Sequence, residues 1–278
     1  DKTTLSTFFT SSTQVGGTSA DYYYNIFNTG SGQAGSRTQF SLAYADKKGS
    51  GSISFNTNVP GKSPSSTIYG QYRNLILGTE EQDFTFGEIN SDHFYVFSID
   101  RARYKESIFP GTLNLHLKVG SDTIKLTDNS NDVNIQTFIG SSRVYQLVSG
   151  SNGSAYNSTG YQPGSGSYGL LFPELGTILL NPDALSAAIN LNSNKSADLT
   201  NGNNQDTLFA AINSAEYFEM NSQETITSDF VFCRARNSEF NYSSNPSFIS
   251  GSTGQVLFPD FINNPQVYMT TVGMYNDS

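Results

Sequence analysis

The stretch 113–127 constrains the fold more than any other part of the chain. Leu113, Leu115, Leu117 and Val119 alternate there with Asn114, His116 and Lys118, and a Gly120-Ser121-Asp122 turn leads into residues 123–127. A period of two puts one set of side chains on each face of a strand, and a short glycine-containing turn brings the chain back antiparallel. A β-hairpin is expected. A lone hairpin is barely stable in water, so further strands must join it.

The chain supplies them. Phe40, Leu42 and Tyr44 alternate with Gln39, Ser41 and Ala43, and Ile53, Phe55, Thr57 and Val59 repeat the pattern. Phe84 and Phe86 alternate, residues 93–99 are apolar on both faces, and 143–149 fits another strand. A run apolar on both faces belongs at the centre of a sheet. Two aromatic and β-branched stretches, 226–240 and 266–275, predict a return to strand near the end.

Helical spacing is confined to short pieces. Ile68, Tyr69, Tyr72, Leu75 and Ile76 predict a helix over 66–77, with Ser66 as its cap and Gly78 as its stop. Asn181 followed by Pro182 opens a second, carrying Leu185, Ala188 and Ile189. Asn204 or Asp206 caps a third, carrying Leu208, Phe209 and Ile212. Residues 150–169 form a Gly/Ser/Asn/Tyr loop without periodicity.

The expected fold is mainly β with a few short helices, β-sandwich-like or α+β. A polar N-terminal arm, 1–37, precedes a β-rich body, 38–278, with a division into two lobes near 150–170. The arm carries aromatic patches at Phe8-Phe9 and Tyr22-Tyr23-Tyr24, expected to be buried only against a partner.

Only 14% of the residues are charged, against a usual level of about 25%. The formal net charge is −9, whereas nucleic-acid binding relies on a basic surface. An anionic membrane surface is disfavoured for the same reason. One cysteine, Cys233, excludes an intramolecular disulfide, and the start Asp1-Lys2-Thr3-Thr4 has no apolar signal segment. The most apolar run, 169–180, is interrupted by Pro173 and Glu174 and falls short of the roughly 20 residues of a membrane helix.

Motifs for chemistry fail on their context. Gly30, Gly32 and Gly35, and Gly164, Gly166 and Gly169, match a dinucleotide pattern that needs a strand before it and a helix after it. The first set runs into a strand, the second into Leu170-Leu171-Phe172-Pro173. Gly61-Lys62-Ser63 lacks the earlier glycine of a P-loop and meets Pro64, so it reads as an exposed turn. Residues 128–132, Asp-Asn-Ser-Asn-Asp, open like a calcium loop, but Val133 and Ile139 stand where glycine and glutamate are needed. An Asx-rich turn is expected instead.

His93, His116 and Cys233 are too widely spaced for a zinc site, and no strained serine elbow accompanies the histidines. Glu80, Glu81 and Asp83, and Glu216 and Glu219, read as solvated surface acids rather than a glycosidase pair. Five glycosylation sequons, at Asn152, Asn157, Asn194, Asn241 and Asn276, carry no weight in a chain so rich in Ser, Thr and Asn. No catalytic, cofactor or metal residue is assigned.

Two basic clusters stand out in a chain poor in charge: Arg101, Arg103 and Tyr104, and Arg234 and Arg236. Arginine and tyrosine are favoured anchors of protein interfaces. Internal pairing with Asp100, Glu106 or Glu239 is the alternative, and exposure of the arginines separates the two.

Residues 236–248 read Arg-Asn-Ser-Glu-Phe-Asn-Tyr-Ser-Ser-Asn-Pro-Ser-Phe, and 268–277 read Tyr-Met-Thr-Thr-Val-Gly-Met-Tyr-Asn-Asp. With Val59-Pro60-Gly61-Lys62-Ser63-Pro64, Arg101-Ala102-Arg103-Tyr104-Lys105-Glu106 and Phe109-Pro110-Gly111-Thr112-Leu113-Asn114-Leu115, this chain from about residue 38 onward resembles virion structural proteins of contractile-tailed bacteriophages that infect marine cyanobacteria. In that family the last strand continues past the Asn-Asp pair. The resemblance implies a non-enzymatic component of the virion, in its tail or baseplate, assembled in the host cytoplasm. Its partners would be other virion proteins and copies of itself, with no cofactor, nucleic acid or membrane. A second expectation is a surface module that binds a host receptor or glycan, with the tyrosines of 156–168 stacking on sugar. A polysaccharide-degrading enzyme would need a cleft with paired carboxylates.

Overall fold

The computed structural model describes residues 2–5, 9–10, 23–30, 33–52, 63–195, 203–232, 234, 236, 242–268, 271–273 and 275. The protein is mainly β, as its alternating segments require. The expected hairpin forms from β9 (Asn114–Val119) and β10 (Asp122–Asp128), with Val119 opposite Asp122. Gly120 takes φ 59° at the first turn position, where a type II′ turn needs glycine.

β10 leads through β12 (Ser142–Ser151), β14 (Gly169–Phe172) and β15 (Thr177–Leu180) to β7 (His93–Ile99). The path continues through β4 (Thr38–Asp46), β3 (Tyr24–Phe27) and β2 (Phe9–Thr10). On the other side of the hairpin lie β16 (Phe218–Gln223) and β1 (Lys2–Leu5). Three short strands attach at the side: β8 (Ser107–Ile108), β11 (Thr137–Ile139) and β13 (Ser154–Ala155). Each of these pairings is antiparallel. β5 (Phe84–Phe86) and β6 (Ile89–Ser91) form a separate hairpin.

The centre of the sheet is buried on both faces. Phe40, Leu42 and Tyr44 join Tyr95, Phe97 and Ile99 in one cluster, beneath α2 (Pro182–Ile189) and α3 (Asn203–Ala215). Ala43, Ala45, Phe94 and Val96 point the other way, against α1 (Pro64–Tyr72) and the β5–β6 hairpin. β7 is thus the central strand that its apolar run predicts. Phe218 on β16 meets Phe40 at 5.5 Å and Phe97 at 5.9 Å, both edge-on. Strands distant in the order therefore face one another across a shared core, because the twisted sheet coils back on itself.

The helices hold with local shifts. α1 starts two residues earlier than the spacing predicts, because Pro64 occupies its first turn and Ser63 its cap. Ser63 is buried and donates to the Gly49 carbonyl at 2.6 Å, so it is no exposed turn residue. A π-helical turn, Arg73–Leu77, follows and ends at Gly78 with φ 66°. Asn181 caps α2 as expected, accepting from Asp183 and Ala184 N–H. Asn204 lies inside α3 rather than before it; its amide donates to the Gly51 and Asn194 carbonyls.

Three boundaries differ from those the sequence suggests. β1, β2 and β3 bring parts of 1–37 into the sheet, and Tyr24 is buried in the chain's own core through its register with Leu42. Contacts divide the chain into Asp1–Thr225 and Ile226–Ser278, not near 150–170, where β12, β14 and β15 are consecutive neighbours in one sheet. In Ile226–Ser278 the described residues hold one short helix, α4 (Pro259–Asn263), and no strand. Strand propensity alone gives no ladder there, since a strand needs a neighbour for its N–H and C=O groups. The expected strand bearing Ile53, Phe55, Thr57 and Val59, the patch residues Phe8 and Tyr22, and Cys233 lie outside the described residues.

Candidate functional site

Three places hold the groups from which a function can be built. The first is the basic cluster after β7. Asp100 accepts from Ala102 N–H at 2.8 Å and opens a 3-10 turn, Arg101–Arg103. The Arg101 guanidinium lies 4.6 Å from the centre of the Tyr104 ring and donates to the Glu106 carbonyl. Tyr104 is buried, and its ring fills the space above Gly176, where a Cβ would come within 2.4 Å of it.

The following residues are knitted to the end of β16. Lys105 pairs with Glu224 at 2.9 Å, and Glu106 accepts from Thr225 N–H at 2.7 Å, which holds its carboxyl below the usual range. Asp100 and Glu106 thus spend their carboxylates on backbone N–H groups, and Arg101 meets Glu106 through its backbone carbonyl; Arg101 faces solvent while Arg103 is half-buried. Arg234 and Arg236 both face solvent. Glu239 lies outside the described residues.

A second place is the surface of Ile226–Ser278. None of its described residues is buried. Among the described residues, nineteen large apolar side chains stand exposed, and twelve of them belong to this unit. Phe230 is 85% exposed, Phe232 97%, Tyr268 85% and Tyr275 96%. Single exposed apolar residues are ordinary; a concentration of this kind within one unit is not.

The third is a cleft of about 520 Å³ between the β5–β6 turn and the loop before β14. Tyr161 and Gln162 come from the tyrosine-rich loop, Glu88 and Ile89 from the hairpin, and Gln146 from β12. Gly87, with φ 66°, lets the turn approach so closely that a Cβ would sit 2.9 Å from the Tyr161 ring. The loop is pinned by a bridge between Gln162 and Gly166. Burial, and then the Glu88 charge, push the Tyr161 phenol up. Sequence reading found the tyrosines but not their partners, which lie on elements far away in the chain and have no local signature.

The remaining candidates resolve as framework. Asp128 is buried and accepts from Gly111 and Ser130 N–H, an Asx turn as expected; burial pushes its carboxyl up against the pull of those bonds. Asp132 accepts from Ala155 N–H, and Asn131 donates to the Asn152 carbonyl. Asp83 is paired with Lys47 at 2.7 Å, and Tyr217 donates to Glu219. Gly164 and Gly166 shape the turn before β14, with no helix following, so the dinucleotide geometry does not arise.

His93 is buried beside Asp92, 3.0 Å from Nδ1, and its Nε2 stands 3.4 Å from Asp183, at the start of α2. Burial raises the Asp92 carboxyl, but the His93 bond and the Lys195 charge outweigh it and leave it below its ordinary value. His93 likewise lowers Asp183, against a smaller effect of burial. His116 stacks on Tyr217 at 4.2 Å. Among the described residues, no cluster of three or more metal-ligating side chains forms, and no helix is long and apolar enough to cross a membrane.

No protein-family model, curated protein or solved structure matches this chain.

Proposed function

We propose that the protein is a non-enzymatic structural component of a tailed-phage particle, placed in the tail or baseplate and acting through contacts with other virion proteins and with copies of itself. The observation that carries this reading is the asymmetry in apolar exposure. The unit Asp1–Thr225 buries most of its described aromatic residues in two clusters, whereas Ile226–Ser278 presents Phe230, Phe232, Tyr268 and Tyr275 to solvent. A segment that buries so little cannot offset the entropy of ordering itself; a partner surface supplies the missing burial. The resemblance of residues 236–248 and 268–277 to virion proteins falls on this same unit, and Arg234 and Arg236 place interface-prone guanidinium groups beside it.

Electron microscopy of purified particles tests the proposal. Density for the chain at repeated positions in the tail or baseplate is expected, with Ile226–Ser278 against neighbouring subunits. Absence of the chain from particles would refute it.

A further inference from the structure

The Tyr161 cleft is lined by an aromatic ring, two amides and a carboxylate, whatever the protein assembles with. Its volume, about 520 Å³, lies within the range of small-ligand pockets. No lysine or arginine lines it, while Glu88 does, which disfavours a phosphate or carboxylate ligand.

The amides in the cleft are already oriented. Gln146 Oε1 accepts from Gly87 N–H at 3.1 Å and also from the Ser167 hydroxyl. Gln162 Oε1 accepts from the Tyr168 hydroxyl at 2.9 Å. Two donors fill Gln146 Oε1, so its Nε2 donor remains for a ligand, while Gln162 keeps its Nε2 donor and one acceptor position on Oε1. Glu88 offers an acceptor and Thr159 a hydroxyl that does either. Beside them stand the Tyr161 ring and the Ile89 side chain, an apolar wall.

Fixed donors and a carboxylate acceptor next to an aromatic ring match a pyranose. Such a sugar has hydroxyls around its rim, each donor and acceptor, and a C–H face that packs on an aromatic ring. We propose that this cleft binds one neutral pyranose unit, its apolar face on Tyr161 and its hydroxyls on Gln146, Gln162 and Glu88. Gly87 and the Gln162–Gly166 bridge fix the walls of the site before the ligand arrives, which limits the ordering cost of binding.

Saturation-transfer NMR on the full chain tests this, with the methyl glycosides of glucose, galactose, mannose and N-acetylglucosamine as probes. Transfer to the ring protons of at least one is expected. Tyr161→Ala should weaken that binding about tenfold or more, and the isosteric Glu88→Gln by a smaller factor, both with unchanged thermal unfolding. No transfer to any of the four overturns the proposal. So does binding that survives both substitutions, since the sugar would then sit elsewhere. Should Tyr161→Ala disturb folding, the Glu88→Gln comparison decides.

Discussion

The units Asp1–Thr225 and Ile226–Ser278 share a vocabulary of aromatic and β-branched residues, and they use it in opposite ways. In the first, Phe40, Phe97 and Phe218 meet edge-on or stacked within 6 Å in a core with no solvent access. In the second, Phe230, Val231 and Phe232 are consecutive and all exposed. A run of aromatic and β-branched residues is thus not sufficient for a strand. A strand also needs a partner with free backbone groups, and β16 finds three, β1, β8 and β9, while the described residues after it form only an isolated bridge between Ile249 and Val256. The comparison separates a part that folds on its own contacts from a part proposed to complete itself on a partner.

Deleting 226–278 should break the comparison most completely. Particles made with a chain ending at Thr225 are expected to lack that chain, as read by gel analysis of purified particles. Its thermal unfolding should match that of the full protein. Incorporation of the shortened chain at normal copy number would place the assembly surface elsewhere.

A pair of substitutions measures the same contrast in energy. Phe97→Ala should destabilise by about 3–5 kcal/mol in urea unfolding, because it removes a ring buried between Phe40 and Phe218. Phe232→Ala should change stability by less than about 0.5 kcal/mol, as an exposed residue does. Equal effects would show that the second unit has a core of its own.

Gly176→Ala probes the packing of Tyr104 within Asp1–Thr225. The added Cβ meets the Tyr104 ring, and φ 60° disfavours any side chain at that position. A loss of about 1–3 kcal/mol is expected, together with faster amide exchange around Arg101–Arg103.

The smallest effect is electrostatic and falls on Asp1–Thr225 alone. Asp92 and Asp183 have folded pKa values below the ordinary 3.8, so their stabilising contribution is present above that pH and lost as the pH falls beneath it. Both carboxylates are partly exposed, which keeps the effect modest. Asp183→Asn should flatten the dependence of unfolding midpoint on pH between about 2 and 4. An unchanged slope would remove His93 from the account.

Much of the β unit was legible in the chain because its signals are local. The 113–127 alternation fixed the hairpin and its turn, the two-faced run fixed β7, and Asn181-Pro182 fixed the start of α2. What escaped depends on distant partners. The capture of Tyr24 needs β4, the role of Asn204 needs Gly51 and Asn194, and the Tyr161 cleft needs Gly87 and Gln146. The strands expected after residue 225 show the reverse error. There the side-chain pattern was present, and no described neighbour paired with it.

Hydrogen exchange on Ile226–Ser278, compared between the isolated chain and purified particles, decides whether this unit is ordered by a partner. Fast exchange in the isolated chain and strong protection in the particle are predicted, with the amides of β4 and β7 protected in both. Equal protection of Ile226–Ser278 in the two states would contradict the account, because the unit would then need no partner to be ordered.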